Sequence, residues 1–179
     1  MEINYFGKPY SFTHLAALKK FGKNHNYLSR GSIDETVHSL EKDSIAIIPI
    51  ENTYGGMIDE TVTSMLESMK TIDILEELEM QIRLYLLSKN SIRLNTVKKI
   101  YSHEYPLKIS KLWLSQNIPQ ARLEKVASTS DACILAKNEE YSCAIASLEA
   151  ANHYHLEKLN EIKIDGKDNL TKFFVLKHT

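Results

Sequence analysis

The side chains of this chain best suited to chemistry are neutral hydroxyls and amides with one carboxylate among them. They are Ser11 and Thr13; Glu51, Asn52 and Thr53; Ser102 and His103; Ser128 and Thr129; and Ser147. Each group follows a short apolar run and precedes a stretch with helical spacing. Residues at such a junction open helices, where backbone N–H groups are unpaired and the helix dipole favours an anion. For any one Ser or Thr, capping its own helix is the competing assignment. Taken together, the groups predict a site that holds a small anionic molecule through neutral donors. Glu51 adds a carboxyl that could supply a proton or orient the group that does, because desolvation keeps a carboxyl protonated. Its plainer role is a helix-start carboxylate.

Other chemistries lack their residues. His153 and His155 are two apart, so on a helix they point to different sides, and no metal centre is expected. No G-x-G-x-x-G opens a helix and no phosphate loop is present, so no cofactor is expected. Cys133 and Cys143 have neither metal-ligand spacing nor a disulfide framework and read as reduced, half-buried structural thiols.

The elements that must position these groups alternate between strand and helix. Ile3 to Phe6 is a short strand ending at Gly7-Lys8-Pro9, and Ser11 or Thr13 then caps a helix through Ala16, Ala17 and Leu18 that stops at Gly22. A second strand lies near Tyr27-Leu28. Ser32 with Glu35 forms a capping box for a helix through Val37 and Leu40. Ser44 to Ile50 is nearly continuous in apolar residues, as in a parallel strand buried on both faces. Ile58, Val62, Met65, Leu66 and Met69 then define one helix face. Leu78, Met80, Ile82, Leu84 and Leu86 alternate strictly and predict one long strand. After it the first plan repeats: a strand over Val97–Tyr101, a helix over Pro106–Leu114, a strand over Arg122–Ala127, a helix capped by Ser128, Thr129 and Ser130, a buried strand over Ser142–Ala146, and a helix after Ser147. Leu170 to Leu176 is the last strand.

Each half therefore reads βαβαβ. The expected fold is α/β, two lobes joined by two crossings around a cleft, with lobe one at residues 1–77 plus 165–179 and lobe two at 78–164. Ligands of open α/β sheets sit outside the carboxyl ends of the strands, where the polar groups fall.

Composition agrees with an ordinary globular protein. In 179 residues there are 22 basic and 23 acidic side chains, with 43% hydrophobic residues. The near-zero charge argues against nucleic-acid binding through bulk positive potential. No apolar run approaches the roughly 20 residues of a membrane span, and no signal peptide is visible. A cytoplasmic protein without a membrane partner is expected.

Four stretches now acquire a common meaning. They are Tyr5-Phe6-Gly7 with Ser11-Phe12-Thr13-His14 and Ala16-Ala17; Ile48-Pro49-Ile50-Glu51-Asn52-Thr53 with Gly56 and Thr61; Ser128-Thr129 with Ala144-Ile145-Ala146-Ser147 and Ala150-Ala151; and Asn169 with Thr171-Lys172-Phe173. In this order the chain resembles the catalytic domain of prephenate dehydratase from Tyr5 to Leu176. The resemblance implies a type II periplasmic-binding-protein-like fold and conversion of prephenate to phenylpyruvate, with loss of carbon dioxide and water, on the route to phenylalanine, without a cofactor. It implies that Thr171 is the key hydroxyl, hydrogen-bonded to the leaving group, with Glu51 as acid or orienter. Ser11, Thr13, Asn52, Thr53, Ser102, His103, Ser128, Thr129, Ser147, Lys172 and Phe173 are the expected substrate-binding residues. His14 reads as the structural partner of a helix start.

The chain also departs from the family pattern. Lys172 stands where the family has arginine, and an ammonium is a point charge where a guanidinium is a two-donor fork. Tyr105 and Ile109 stand where glutamines are usual. A prephenate decarboxylase-like enzyme and a non-catalytic dicarboxylate-binding protein are therefore the alternatives, and arogenate is an alternative substrate. Bacterial relatives usually carry an ACT domain after this one. The chain stops just past its last strand, so no feedback inhibition by phenylalanine is expected. A homodimer is open, with Tyr85 and Leu87 either at its interface or packed under a helix.

Overall fold

In the computed structural model, which describes residues 1–164, 166 and 168–179, the chain begins with β1 (Glu2–Phe6), α1 (Phe12–Phe21), β2 (Asn26–Arg30), α2 (Ile33–His38) and β3 (Ser44–Asn52). The short strand β4 (Gly56–Met57), helix α3 (Asp59–Ser68) and β5 (Ile72–Gln81) follow. The second series is β6 (Leu84–Ser88), a 3-10 turn at Leu94–Thr96, β7 (Lys99–Ser102), α4 (Glu104–Ile109), α5 (Lys111–Asn117), β8 (Arg122–Lys125), α6 (Thr129–Asn138), β9 (Ser142–Ala146), α7 (Leu148–Tyr154) and β10 (Glu157–Ile162). Strand β11 (Leu170–His178) ends the chain. Both βαβαβ runs are present.

Two compact units result, Met1–Ile82 with Asp168–Thr179, and Arg83–Lys167. The first sheet has the order β2-β1-β3-β11-β5, with β4 beside β3; β1, β2 and β3 are parallel, and β11 runs antiparallel to both neighbours. Its apolar residues alternate between two covers. Ile3, Ile47, Phe173 and Val175 meet Ala16 and Ala17 of α1 on one face, while Ala46, Ile48 and Leu176 meet Ile33 and Val37 of α2 on the other. That is why the Ser44–Ile50 run is apolar at nearly every position. The second sheet has the order β10-β6-β9-β7-β8, with β7, β8 and β9 parallel.

Several expectations need correction. The alternating stretch Leu78–Leu86 is two strands in two sheets, β5 and β6, separated at Ile82-Arg83. Because β5 stays paired with β11 as far as Gln81, the first unit extends to Ile82 rather than to residue 77. The expected boundary at 164/165 and the return between Ile162 and Asn169 include Asp165 and Lys167, which lie outside the described residues. The face of α3 also differs. Leu66 and Met69 are 64% and 67% exposed, while the small residues Thr61, Ser64 and Ser68 are buried. Thr61 donates to the Pro49 carbonyl and Ser64 to Asp34, so short hydroxyls bring this helix close where long side chains would hold it away. The single helix expected over Pro106–Leu114 breaks at Ser110 into α4 and α5. Strand β10, a charged edge strand, carried no apolar pattern to announce it. Tyr85 and Leu87 are buried within β6 and offer no surface to a second copy. Cys133 and Cys143 are free and fully buried, their thiols pushed up to about 12 by desolvation. Among the described residues no helix is long and apolar enough to cross a membrane.

Candidate active site

In the first unit the polar groups gather at the carboxyl ends of β1 and β3, where β11 begins. Asn52 is the last residue of β3 and pairs with Thr171. Its Oδ1 accepts the backbone N–H of Tyr54 at 2.8 Å and of Gly55 at 3.3 Å. An oxygen held by two backbone donors fixes which end of the amide is nitrogen. Nδ2 therefore faces β11, where it donates to Asn169 Oδ1 at 2.9 Å and to Thr171 Oγ1 at 2.8 Å. Thr171 is 8% exposed, and its own O–H has no protein acceptor among the described residues. The result is a hydroxyl whose oxygen accepts from Asn52 and whose proton is uncommitted among the described residues.

Thr53, expected to bind substrate, is occupied by backbone. Its N–H donates to Leu170 O at 2.9 Å, its Oγ1 donates to the same carbonyl at 3.2 Å, and it accepts from Leu170 N at 3.0 Å. Ser11 caps α1, accepting from His14 N at 3.4 Å and donating to Phe6 O at 3.3 Å. Gly7, with φ of 93°, makes room for it, since a Cβ there would stand 3.0 Å from Ser11 Oγ. Thr13 is buried in the first turn of α1, and its hydroxyl has no hydrogen bond among the described residues. His14 accepts Tyr10 N–H on Nδ1 and stacks on Tyr5, the structural role expected of it.

Three expected site residues lie elsewhere. Glu51 and Lys172 pair with each other one position along from Asn52 and Thr171, and strand residues alternate faces. Both therefore project from the opposite side of the sheet, where Lys172 Nζ lies 3.8 Å from Glu51 Oε2 and 3.5 Å from Glu77 Oε1. The Glu51 side chain is 44% exposed, at the surface rather than in a desolvated pocket. Phe173 is 1% exposed and belongs to the core against α1, so its side chain is closed to a ligand. Conversely, Asn169 was not among the expected site residues. The available signal was its spacing, two residues before Thr171 and hence on the same face of an extended segment.

The second unit has its own polar edge at the carboxyl ends of β7, β8 and β9. Ser102 is fully buried and donates to Ile145 O at 2.7 Å, tying β7 to β9. Ser128 caps α6, accepting from Asp131 N at 3.0 Å, and Ser147 caps α7, accepting from Ala150 N at 3.1 Å. Thr129 is buried at the start of α6, and its hydroxyl is unbonded among the described residues. No three metal-ligating side chains come together among the described residues.

His103 caps α4 through Nδ1, which accepts from Tyr105 N at 3.4 Å, leaving the proton on Nε2. Burial first, and the charge of Lys125 second, hold its pKa below the ordinary 6.5, with Glu104 opposing. A base with a lowered folded pKa contributes stability that is complete above its unfolded value and is lost as pH falls through the folded one. Thermal melts on either side of pH 6.5 should therefore show the wild type losing stability on acidification more steeply than His103→Asn, which keeps a capping side chain. Parallel curves would remove His103 from the account.

The comparisons with known proteins converge with this geometry. The sequence profile named "Prephenate dehydratase" matches residues 3–179. The chain belongs to the prephenate dehydratase family. The bifunctional chorismate mutase/prephenate dehydratase of Aquifex aeolicus is 34% identical over 178 residues, covering 98% of this chain and 48% of that protein. The chain spans about half the length of the curated relatives it matches. Among solved structures, prephenate dehydratase from Arthrobacter aurescens in complex with L-Phe superposes with a TM-score of 0.85 at 21% identity, over 100% of this chain and 61% of that one. GqqA, described as a quorum quenching acylase, superposes with a TM-score of 0.81 at 18% identity, over 100% and 64%. The fold is thus the two-lobe, type II periplasmic-binding-protein-like one that the resemblance implied. Two named activities on one fold leave the activity to the site residues. In this prephenate dehydratase family member the terminal Thr-Lys-Phe divides its labour: Thr171 faces Asn52, Lys172 faces Glu51, and Phe173 packs the core.

Proposed function

We propose that this chain is a prephenate dehydratase catalytic domain, converting prephenate to phenylpyruvate, carbon dioxide and water. The observation that carries the reading is the Thr171 hydroxyl, fixed as an acceptor from Asn52 with its own proton uncommitted. In the reaction the bond to the ring carboxylate breaks and its electron pair moves through the cyclohexadiene, expelling the hydroxyl on the far ring carbon. That hydroxyl leaves as water once it receives one proton, and the ring becomes aromatic. A donor aimed at the departing oxygen stabilises the charge that develops on it, and Thr171 is positioned to be that donor. The electron sink is the ring itself, so the protein's task is to orient, to donate and to hold the substrate's carboxylates. On the same sheet edge, the capped N-terminus of α1 with the unbonded Thr13 hydroxyl suits an anionic substrate. Lys172 lies on the other face, so the exchange of arginine for lysine leaves the Thr171 donor untouched. The buried free thiols fit a reducing compartment such as the cytoplasm.

The test is turnover of prephenate at neutral pH, followed by ultraviolet absorbance and product identification. Phenylpyruvate is expected. Release of carbon dioxide with a non-aromatic, still hydroxylated product would replace the reading with a decarboxylase. Tight binding without turnover would replace it with a binding protein.

A further inference from the structure

We propose that Thr53 is a positioning residue whose hydroxyl clamps Leu170 and so selects the strand register in which Asn52, rather than Glu51, faces Thr171. The inference rests on the dehydratase reading for its kinetic consequence but on the ladder geometry for its substance. From Phe173 to Lys177, β11 pairs with β3 in one register: Phe173 opposite Pro49, Phe174 opposite Ile48, Val175 opposite Ile47. At Lys172 the register shifts by one, placing Lys172 opposite Glu51 and Thr171 opposite Asn52, with Ile50 left as the extra residue of a bulge. Had the first register continued, Thr171 would oppose Glu51, and Leu170 would oppose Asn52. A one-residue slip exchanges the faces of a strand. The bulge therefore decides whether an amide or a carboxylate meets the Thr171 hydroxyl.

The shifted register needs contacts of its own, because a regular ladder is otherwise the default. Pro49 lowers the barrier to a bulge, having no N–H to lose. Beyond Asn52, Thr53 supplies the contacts. In a regular antiparallel pair, Leu170 N–H would donate to the Thr53 carbonyl; here it donates to Thr53 Oγ1, which in turn donates to Leu170 O beside the Thr53 N–H. All three bonds join residues that are opposite only in the shifted register. The carbonyl of the extra residue is used as well, accepting from Ile58 N at 2.9 Å on the other side of β3. The Thr53 hydroxyl is thus spent on the backbone of Leu170, one residue before Thr171, and it acts on catalysis through Thr171.

The experiment compares Thr53→Val, which keeps the shape and removes the hydroxyl, with Thr53→Ser, which keeps the hydroxyl. Thr53 is exposed, so both variants should fold, and thermal melts confirm it. The expected result for Thr53→Val is a kcat lower by roughly 10- to 100-fold with KM within about threefold, as for a displaced reactive group. Amide hydrogen exchange at Leu170 should accelerate, and the side-chain amide resonances of Asn52 should shift, while Val175 exchange stays slow. Thr53→Ser should restore all three. A raised KM with kcat kept would make Thr53 a substrate contact and overturn the proposal. So would unchanged Leu170 exchange, or a serine variant as impaired as the valine one. If the wild-type chain does not turn over prephenate, the dehydratase reading fails alone, and the exchange and resonance measurements still decide the clamp.

Discussion

Thr171→Val should lower kcat for prephenate by about 10²- to 10⁴-fold, the usual value of a positioned proton donor. That corresponds to roughly 3 to 5 kcal/mol of transition-state stabilisation. Valine has nearly the shape of threonine and suits a strand, so the fold has little reason to change. Asn52 keeps its bond to Asn169 and both backbone donors on its oxygen, so the network loses one link rather than collapsing. The melting temperature should therefore stay within a few degrees and KM should change little. Parallel losses of rate and melting temperature would make Thr171 structural.

Asn52→Asp should be nearly as damaging, for a different reason. The substitution is almost isosteric and keeps an oxygen for Tyr54 N–H and Gly55 N–H. It replaces the donor facing Thr171 with a carboxylate oxygen, which can only accept. The Thr171 hydroxyl then turns its proton inward, and the donor intended for the leaving group disappears. A loss of about 10²-fold or more in kcat is expected, the scale of removing one preorganised donor. The pH dependence separates this from simple disruption. Burial raises the pKa of the new carboxyl, and once protonated it can donate to Thr171 Oγ1 again. The variant's kcat should thus rise as pH falls through that pKa, relative to the wild type at each pH. A loss that is flat with pH, or an equal loss in Asn52→Asp and Asn52→Leu at every pH, would show that hydroxyl orientation is not what Asn52 controls.

Much of the architecture was legible in the sequence because it rests on local rules. The continuous apolar run of β3, the Ser11, Ser32, Ser128 and Ser147 caps and the two βαβαβ series all follow from side-chain period and helix-terminus chemistry. So does the placement of hydroxyls at the carboxyl ends of parallel strands. The failures have physical causes of the same kind as each other. Strict alternation from Leu78 to Leu86 cannot show that the strand changes sheets at Ile82, because the pattern does not record which strand a residue pairs with; Leu78 and Met80 in β5 are half-buried between exposed neighbours, whereas β6 is buried at every position. Strand β10 is an edge strand held by backbone pairing with β6, and backbone bonds leave no trace in side-chain pattern.

The site shows the division most clearly. From the sequence alone it follows that a carboxylate and an amide, Glu51 and Asn52, end one recognisable strand and that a hydroxyl, Thr171, opens another. Only the tertiary structure decided which of them meet. Period-two alternation assigns faces within one strand but says nothing of register against another, and a single bulged residue, Ile50, exchanges Glu51 for Asn52 opposite Thr171. The hydrogen bonds that hold that choice join Asn52, Thr53 and β11 across more than a hundred residues of intervening chain. They exist only once both strands are in place.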